Sequence, residues 1–224
     1  MRQYPGMPAP LQAELRQRLQ LFMGEKRFEG CGGLELTEDM AVAIAGQACV
    51  LLLGRADFDV FPALRTVLVY PTAFVANREE EDEHGFVHEE EVEEGESWEW
   101  GIVILSWEDV ARDMEHLDGR NVVLHEFAHQ LYDQGLLPTG TKEEREAWIE
   151  TLAVHFKRHC RIVDRGQHTF LDEYGAEDEA EFFSVATEAF FEQPRAMKQK
   201  LPNLYLQFKH CFQQEPHLYF EGVS

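Results

Sequence analysis

The sequence predicts a single α+β domain of 224 residues with one chemistry-bearing helix and a small mixed sheet. Three observations predict it. Apolar residues recur at helical spacing over most of the chain, a few short β-branched or alternating segments interrupt them, and no linker or repeat divides the sequence. Hydrophobic residues make up 44% and aromatic residues 12%, enough for a packed core in a highly charged chain.

Leu11, Leu15, Leu19 and Phe22 recur with charges between them and predict a first amphipathic helix from Pro10 to about Gly24. Phe28-Glu-Gly-Cys-Gly-Gly33 reads as a loop whose glycines permit positive φ. No Gly-Lys-Ser/Thr follows, so a nucleotide loop is excluded. Thr37 should cap a helix through Leu53 that is apolar on nearly all sides and therefore buried. Arg65 to Tyr70 is β-branched and stopped by Pro71, which predicts a strand.

Between Glu79 and Glu96, eleven of eighteen residues are acidic, and this reads as a solvated loop with an exposed strand face. Phe86 to Val92 and Ser97 to Leu105 then form a hairpin signal, with Glu94-Gly95 as its turn and Trp98 and Trp100 on a packing face. Ser106 caps a short helix to about His116. Asp118-Gly119 breaks the chain before a helix running from Asn121 to about Asp133. Thr141 and Glu144 form a capping box for a helix to about Cys160, Asp178 opens another to about Gln193, and Pro202 starts the last.

The net charge of -22 argues against nucleic acid and anionic membranes, since no cluster of Lys and Arg is present to meet phosphates. The longest apolar stretch, Met40 to Leu53, is shorter than the roughly 20 residues a bilayer requires. The start has no apolar run like a secretory signal, so a cytoplasmic protein is expected. The cysteines at 31, 49, 160 and 211 form no C-x-x-C pair and read as free thiols.

The chemistry concentrates in His125-Glu126-Phe-Ala-His129. Residues four apart lie on one helix face, so both imidazoles can point at one zinc ion, with Glu126 beside them where an attacking water would sit. With 10 His and 42 acidic residues, composition alone supplies such matches, so the motif needs context. A catalytic zinc takes three protein ligands and keeps one open position. Glu181 and Glu188, both on the helix opened by Asp178, are candidates for the third, with another acid still possible. Glu181 has a purely structural reading as well, as the third helical position of a capping box. The rival pair His155 and His159 has Phe156 where the acid should be, and Lys157 and Arg158 would repel a dication.

Together with Glu181, the motif resembles the Mlc titration factor A family of zinc-dependent peptidases. The resemblance extends through Phe28 to Gly33, Ala45-Gly-Gln-Ala-Cys49, Val67 to Pro71, Gly95 to Trp98, Gly101 to Trp107 and Ala180-Glu181-Phe-Phe-Ser. It covers the chain roughly from Phe28 to Pro216. It implies a zincin-like metallopeptidase domain with Glu181 as third ligand, matched through Asp178-Glu-Ala-Glu181, and leaves Glu188 an unassigned residue of that helix. The family is also similar to the catalytic domain of anthrax lethal factor, in which a tyrosine seven residues before the ligating glutamate assists the reaction. Tyr174 stands there. One departure is that Tyr132 occupies a position where the family usually carries Asp, with Asp133 following, which bears on support for a metal-binding imidazole.

The resemblance therefore implies zinc-dependent hydrolysis of peptide bonds with aminopeptidase-like activity. His125, His129 and Glu181 would hold the metal, Glu126 would act as base, and Tyr174 would assist. An extended peptide would pair with the strand around Trp98 to Gly101. The family name carries a second expectation, that the protein binds and sequesters a transcriptional repressor of sugar uptake.

Overall fold

A computed structural model describes residues 4–55, 59–72, 101–135, 138 and 140–218. The acidic stretch, most of the expected hairpin and the peptide-pairing segment up to Trp100 lie outside them. Three strands form the described sheet: β1 (Arg27–Gly30), β2 (Thr66–Tyr70) and β3 (Ile102–Ser106). They lie in the order β1-β2-β3, all parallel, with Phe28 opposite Val67 and Val67 opposite Val103. The expectation of a mixed sheet rested on a hairpin whose first strand falls outside the described residues; the described sheet is parallel throughout, and β3, which overlaps the second strand of that expected hairpin, pairs with β2 in parallel.

Phe28 to Gly30, expected as loop, is strand, and the turn comes only afterwards at Gly32 and Gly33, where φ is positive. Gly30 ends the strand for a steric reason. A Cβ there would stand 2.2 Å from the Leu34 carbonyl oxygen, so the chain can fold back only over a glycine.

Eight α-helices are described: α1 (Ala9–Glu25), α2 (Glu38–Val50), α3 (Trp107–Glu115), α4 (Val122–Asp133), α5 (Lys142–Val163), α6 (Glu179–Glu192), α7 (Pro194–Lys200) and α8 (Pro202–Phe212). Their starts follow the capping chemistry of the sequence. Thr37 accepts from the Met40 amide, and Ser106 accepts from the Asp109 amide. Thr141 and Glu144 cap each other reciprocally, and Asp178 accepts from the amides of Ala180 and Glu181. The short helix α7 was not expected. Its start has the proline signature at Pro194, but it is too brief for a hydrophobic period to stand out.

One hydrophobic cluster joins these elements. Phe22, Phe61 and Phe127 pack edge to face or tilted with ring centroids 4.8 to 6.1 Å apart, fixing α4 against α1. Phe183, Phe190, Phe208 and Phe212 form a second aromatic cluster between α6 and α8, in tilted and stacked pairs with centroids 5.6 to 6.4 Å apart. The helices α4 and α6 make the most extensive contact between any two described elements, and that pairing positions the site. No described helix is long and apolar enough to cross a membrane.

Candidate metal centre

The first turn of α4 is fixed by a buried polar network. Asn121 caps the helix through its Oδ1, which accepts from the Leu124 amide, while its Nδ2 donates to Gln47 on α2 and Glu192 on α6. The Asn121 amide donates to Glu188, and the Val122 amide donates to Asp113 on α3. Amides that a helix start leaves unpaired are thus satisfied by carboxylates from two neighbouring helices. The register of α4 relative to α6 follows from these bonds, and His125 lies one turn further along.

The helical spacing brings His125 and His129 to one face, with their Nε2 atoms 3.2 Å apart. Glu181, in the first turn of α6, reaches between them. Its Oε2 is 3.0 Å from His125 Nε2 and its Oε1 is 3.2 Å from His129 Nε2. Asp178 satisfies the amides of that turn, which leaves the Glu181 carboxylate for the imidazoles. One donor atom from each of the three residues lies within 4.8 Å of the others. Two imidazole nitrogens and one carboxylate oxygen suit zinc in number and type, and among the described residues no fourth protein ligand closes the set.

The electrostatics also favour a cation at this point. Burial opposes charge on His125, but the carboxylates of Glu181 and Glu188 outweigh it and raise its pKa to about 10. Burial likewise works against charge on Glu181, yet hydrogen bonds from both histidines hold its carboxyl down at about 2. Burial pushes Glu126 above the usual carboxylate range, tempered by the two histidines. A raised pKa is what a carboxylate needs to accept and release a proton near neutrality.

Glu188 holds the other side of His125, with its Oε1 2.8 Å from Nδ1. Its second oxygen accepts from the Asn121 amide, so one carboxylate orients both the imidazole and the helix that carries it. The sequence named Glu188 as a rival ligand, whereas the geometry brings Glu181 to the convergence. The seven-residue interval between the two was a usable signal, because it returns to the same helix face after two turns.

Tyr174 lies in a 3-10 turn, Glu173–Ala176, with its ring centroid 5.9 Å from that of His125 and its side at the surface. Asp172 caps this turn by accepting from the Tyr174 amide, and it pairs with Arg120. Gly175 lets the turn lie close on α6, since a Cβ there would meet Val185 and Phe182 at 3.3 and 3.4 Å.

His159, half of the rival pair, is buried and supports the same turn. Its Nε2 is 3.0 Å from the Asp172 carbonyl oxygen, which can only accept, so Nε2 carries the proton and Nδ1 accepts from the Thr169 hydroxyl. Burial lowers its pKa and keeps it neutral. Sequence reasoning found neither this role nor those of Asn121, Gln47, Asp113 and Arg120, because each depends on a partner far along the chain.

At the departure position, Tyr132 packs against Phe183 with ring centroids 5.7 Å apart, while Asp133 is exposed at the helix end. Asp133 still feels the charge of His129, which tempers the rise that burial causes in its pKa. A cavity of about 280 Å³ opens beside His125, Tyr174 and Glu188, with Arg112 and Arg120 on its wall.

Comparison with known proteins supplies the family. The profile of the family described as glucose-regulated metallo-peptidase M90 matches residues 1–213. The chain is 35% identical over 222 residues to the uncharacterised protein slr2042 of Synechocystis sp., covering 95% of this chain and 80% of that protein. It is 35% identical over 215 residues to the Mlc titration factor A of Klebsiella pneumoniae (strain 342), covering 92% and 80% respectively. Against the Mlc titration factor A of Escherichia coli (strain 55989 / EAEC) the identity is 31% over 222 residues, covering 94% and 82%. With a family match across nearly its whole length and relatives of this similarity, the chain belongs to the M90 family of metallopeptidases.

Proposed function

We propose that the protein is a zinc-dependent peptidase with His125, His129 and Glu181 as ligands, Glu126 as general base and Tyr174 as a catalytic hydrogen-bond donor. The convergence of two imidazoles and a carboxylate beside a half-buried Glu126, whose pKa desolvation raises, carries this reading. When bound, zinc supplies Lewis acidity that polarises a scissile carbonyl and makes an attacking water more acidic. Glu126 takes the water's proton and later passes it to the leaving amine. Burial supports both transfers, because it brings the carboxylate's proton affinity closer to that of its partners. Tyr174 donates to the carbonyl oxygen as negative charge grows there.

The cavity beside His125 has room for a residue next to the scissile bond, which supports action on short peptides of the aminopeptidase kind. The test is hydrolysis of a set of short peptides by the zinc-loaded protein. Activity should disappear on chelation and return with zinc. Hydrolysis that persists after the metal is stripped would refute the proposal.

Tyr174→Phe gives a second expected result. Loss of the hydroxyl should lower kcat by about 10²-fold, the scale of one oxyanion donor, with KM nearly unchanged. A change confined to KM would mean that Tyr174 binds substrate without assisting the reaction.

The relatives' name, Mlc titration factor A, favours a second reading in which the protein binds a transcriptional repressor. The two activities can coexist on one chain. A repressor that binds the metal-free, inactive protein at full strength would separate them.

A further inference from the structure

A second cavity, of about 180 Å³, lies between the C-terminal half of α5, the segment 168–171 and the junction of α7 with α8. Its wall includes His155, Arg158, His159, His168, Phe170 and Lys200, and no Asp or Glu. The chain carries 42 acidic against 20 basic residues, so a cavity whose ionisable groups are all basic runs against the composition. Elsewhere among the described residues Arg18, Arg27, Arg112, Arg120, Lys142 and Lys209 pair with carboxylates, while some exposed cations such as Arg161 and Arg165 do not. Among the described residues Arg158 and Lys200 have no such partner.

Lys200 is held over the Phe170 ring, 4.8 Å from its centroid, at the edge of the cavity. The charge of the exposed Arg158 is felt by the half-buried His155, whose pKa is lowered by burial and then by that charge. The cavity beside His125 differs, because both of its arginines are already neutralised by aspartates.

We propose that this cavity binds a small dianion of the phosphate-monoester class, with Arg158 and Lys200 supplying charge and His155 and His168 further hydrogen bonds. A tetrahedral dianion offers enough acceptor oxygens for donors arriving from several directions. Phe170 and Leu171 provide an apolar wall for a short organic group. A polyanion is disfavoured by the size of the cavity and by the net charge of -22. The wall continues into the Tyr174 turn, since His159 and Thr169 line the cavity and His159 holds the Asp172 carbonyl. Occupancy should therefore restrain residues 168–176.

Calorimetric titration of inorganic phosphate into the full-length protein, at ionic strength held constant with chloride, tests the site without reference to peptidase activity. Saturable binding should weaken by at least about tenfold in Arg158→Glu and in Lys200→Glu, the loss of one charge-assisted contact. Arg27→Glu, the same charge change on β1, should leave it intact. Amide hydrogen exchange in residues 168–176 should slow when phosphate is added. The proposal is overturned if binding is not saturable, survives both cavity variants, weakens equally in the Arg27 variant or leaves that exchange unchanged.

Discussion

Glu126→Gln should abolish peptide hydrolysis while the protein still binds one zinc per chain. The amide has nearly the shape of the carboxylate, so α4 and its two histidines keep their geometry. It cannot take a proton from water, however, and positioned general bases contribute about 10² to 10⁴ in rate. The structure makes the larger effect the expected one. Burial and the neighbouring histidines shape the basicity of Glu126, and Glu181 and Glu188 are already engaged by His125. Neither can take over the proton transfer without releasing an imidazole. Single-turnover hydrolysis, with metal content measured on the same samples, provides the check. Wild-type cleavage in this variant would move the base to another group. Undiminished repressor binding would show that interaction and hydrolysis are separate properties.

How far the sequence could be read depended on whether a feature was local. The caps at Thr37, Ser106, Thr141 and Asp178 act over two or three residues, so the helix starts they govern could be placed from the sequence. The His125 to His129 spacing is also local, since one helical turn sets it. Residues that depend on distant partners could not be read this way. Glu188 orients His125 across 63 positions, and Asn121 joins Gln47 to Glu192 across more than 70 in each direction. Nothing in the local pattern around Gln47 marks it as part of the site, and its place in an apolar helix reads only as an interruption. Phe28 to Gly30 shows the opposite error. Its glycines suggested a loop, yet pairing with β2 made a strand of it, because tertiary contacts override the weak local preference of so short a segment.

Glu181→Ala and Glu188→Gln should separate a residue that holds the metal from one that orients a ligand. Removing the Glu181 carboxylate leaves two imidazoles, and it takes away the charge that faces both of them. Purified Glu181→Ala should therefore carry little or no zinc and have no measurable peptidase activity. Zinc should raise the thermal midpoint of the wild type but not of this variant, since a ligand that binds only the folded state stabilises it by about 2.7 kcal/mol at 100 times its Kd. Glu188→Gln keeps one carbonyl oxygen to accept from either His125 or the Asn121 amide, turns its NH2 toward the other, and loses the negative charge that makes the imidazole a better ligand. Its zinc affinity should fall about 10- to 100-fold, the usual scale for a partner behind a metal-binding histidine. At saturating zinc its activity should largely recover. The two variants are distinguished by titration against a competing chelator. Full zinc retention in Glu181→Ala would exclude that residue as a ligand. Complete loss of zinc in Glu188→Gln, with Glu181→Ala spared, would move the ligand to the position that the structure shows supporting His125.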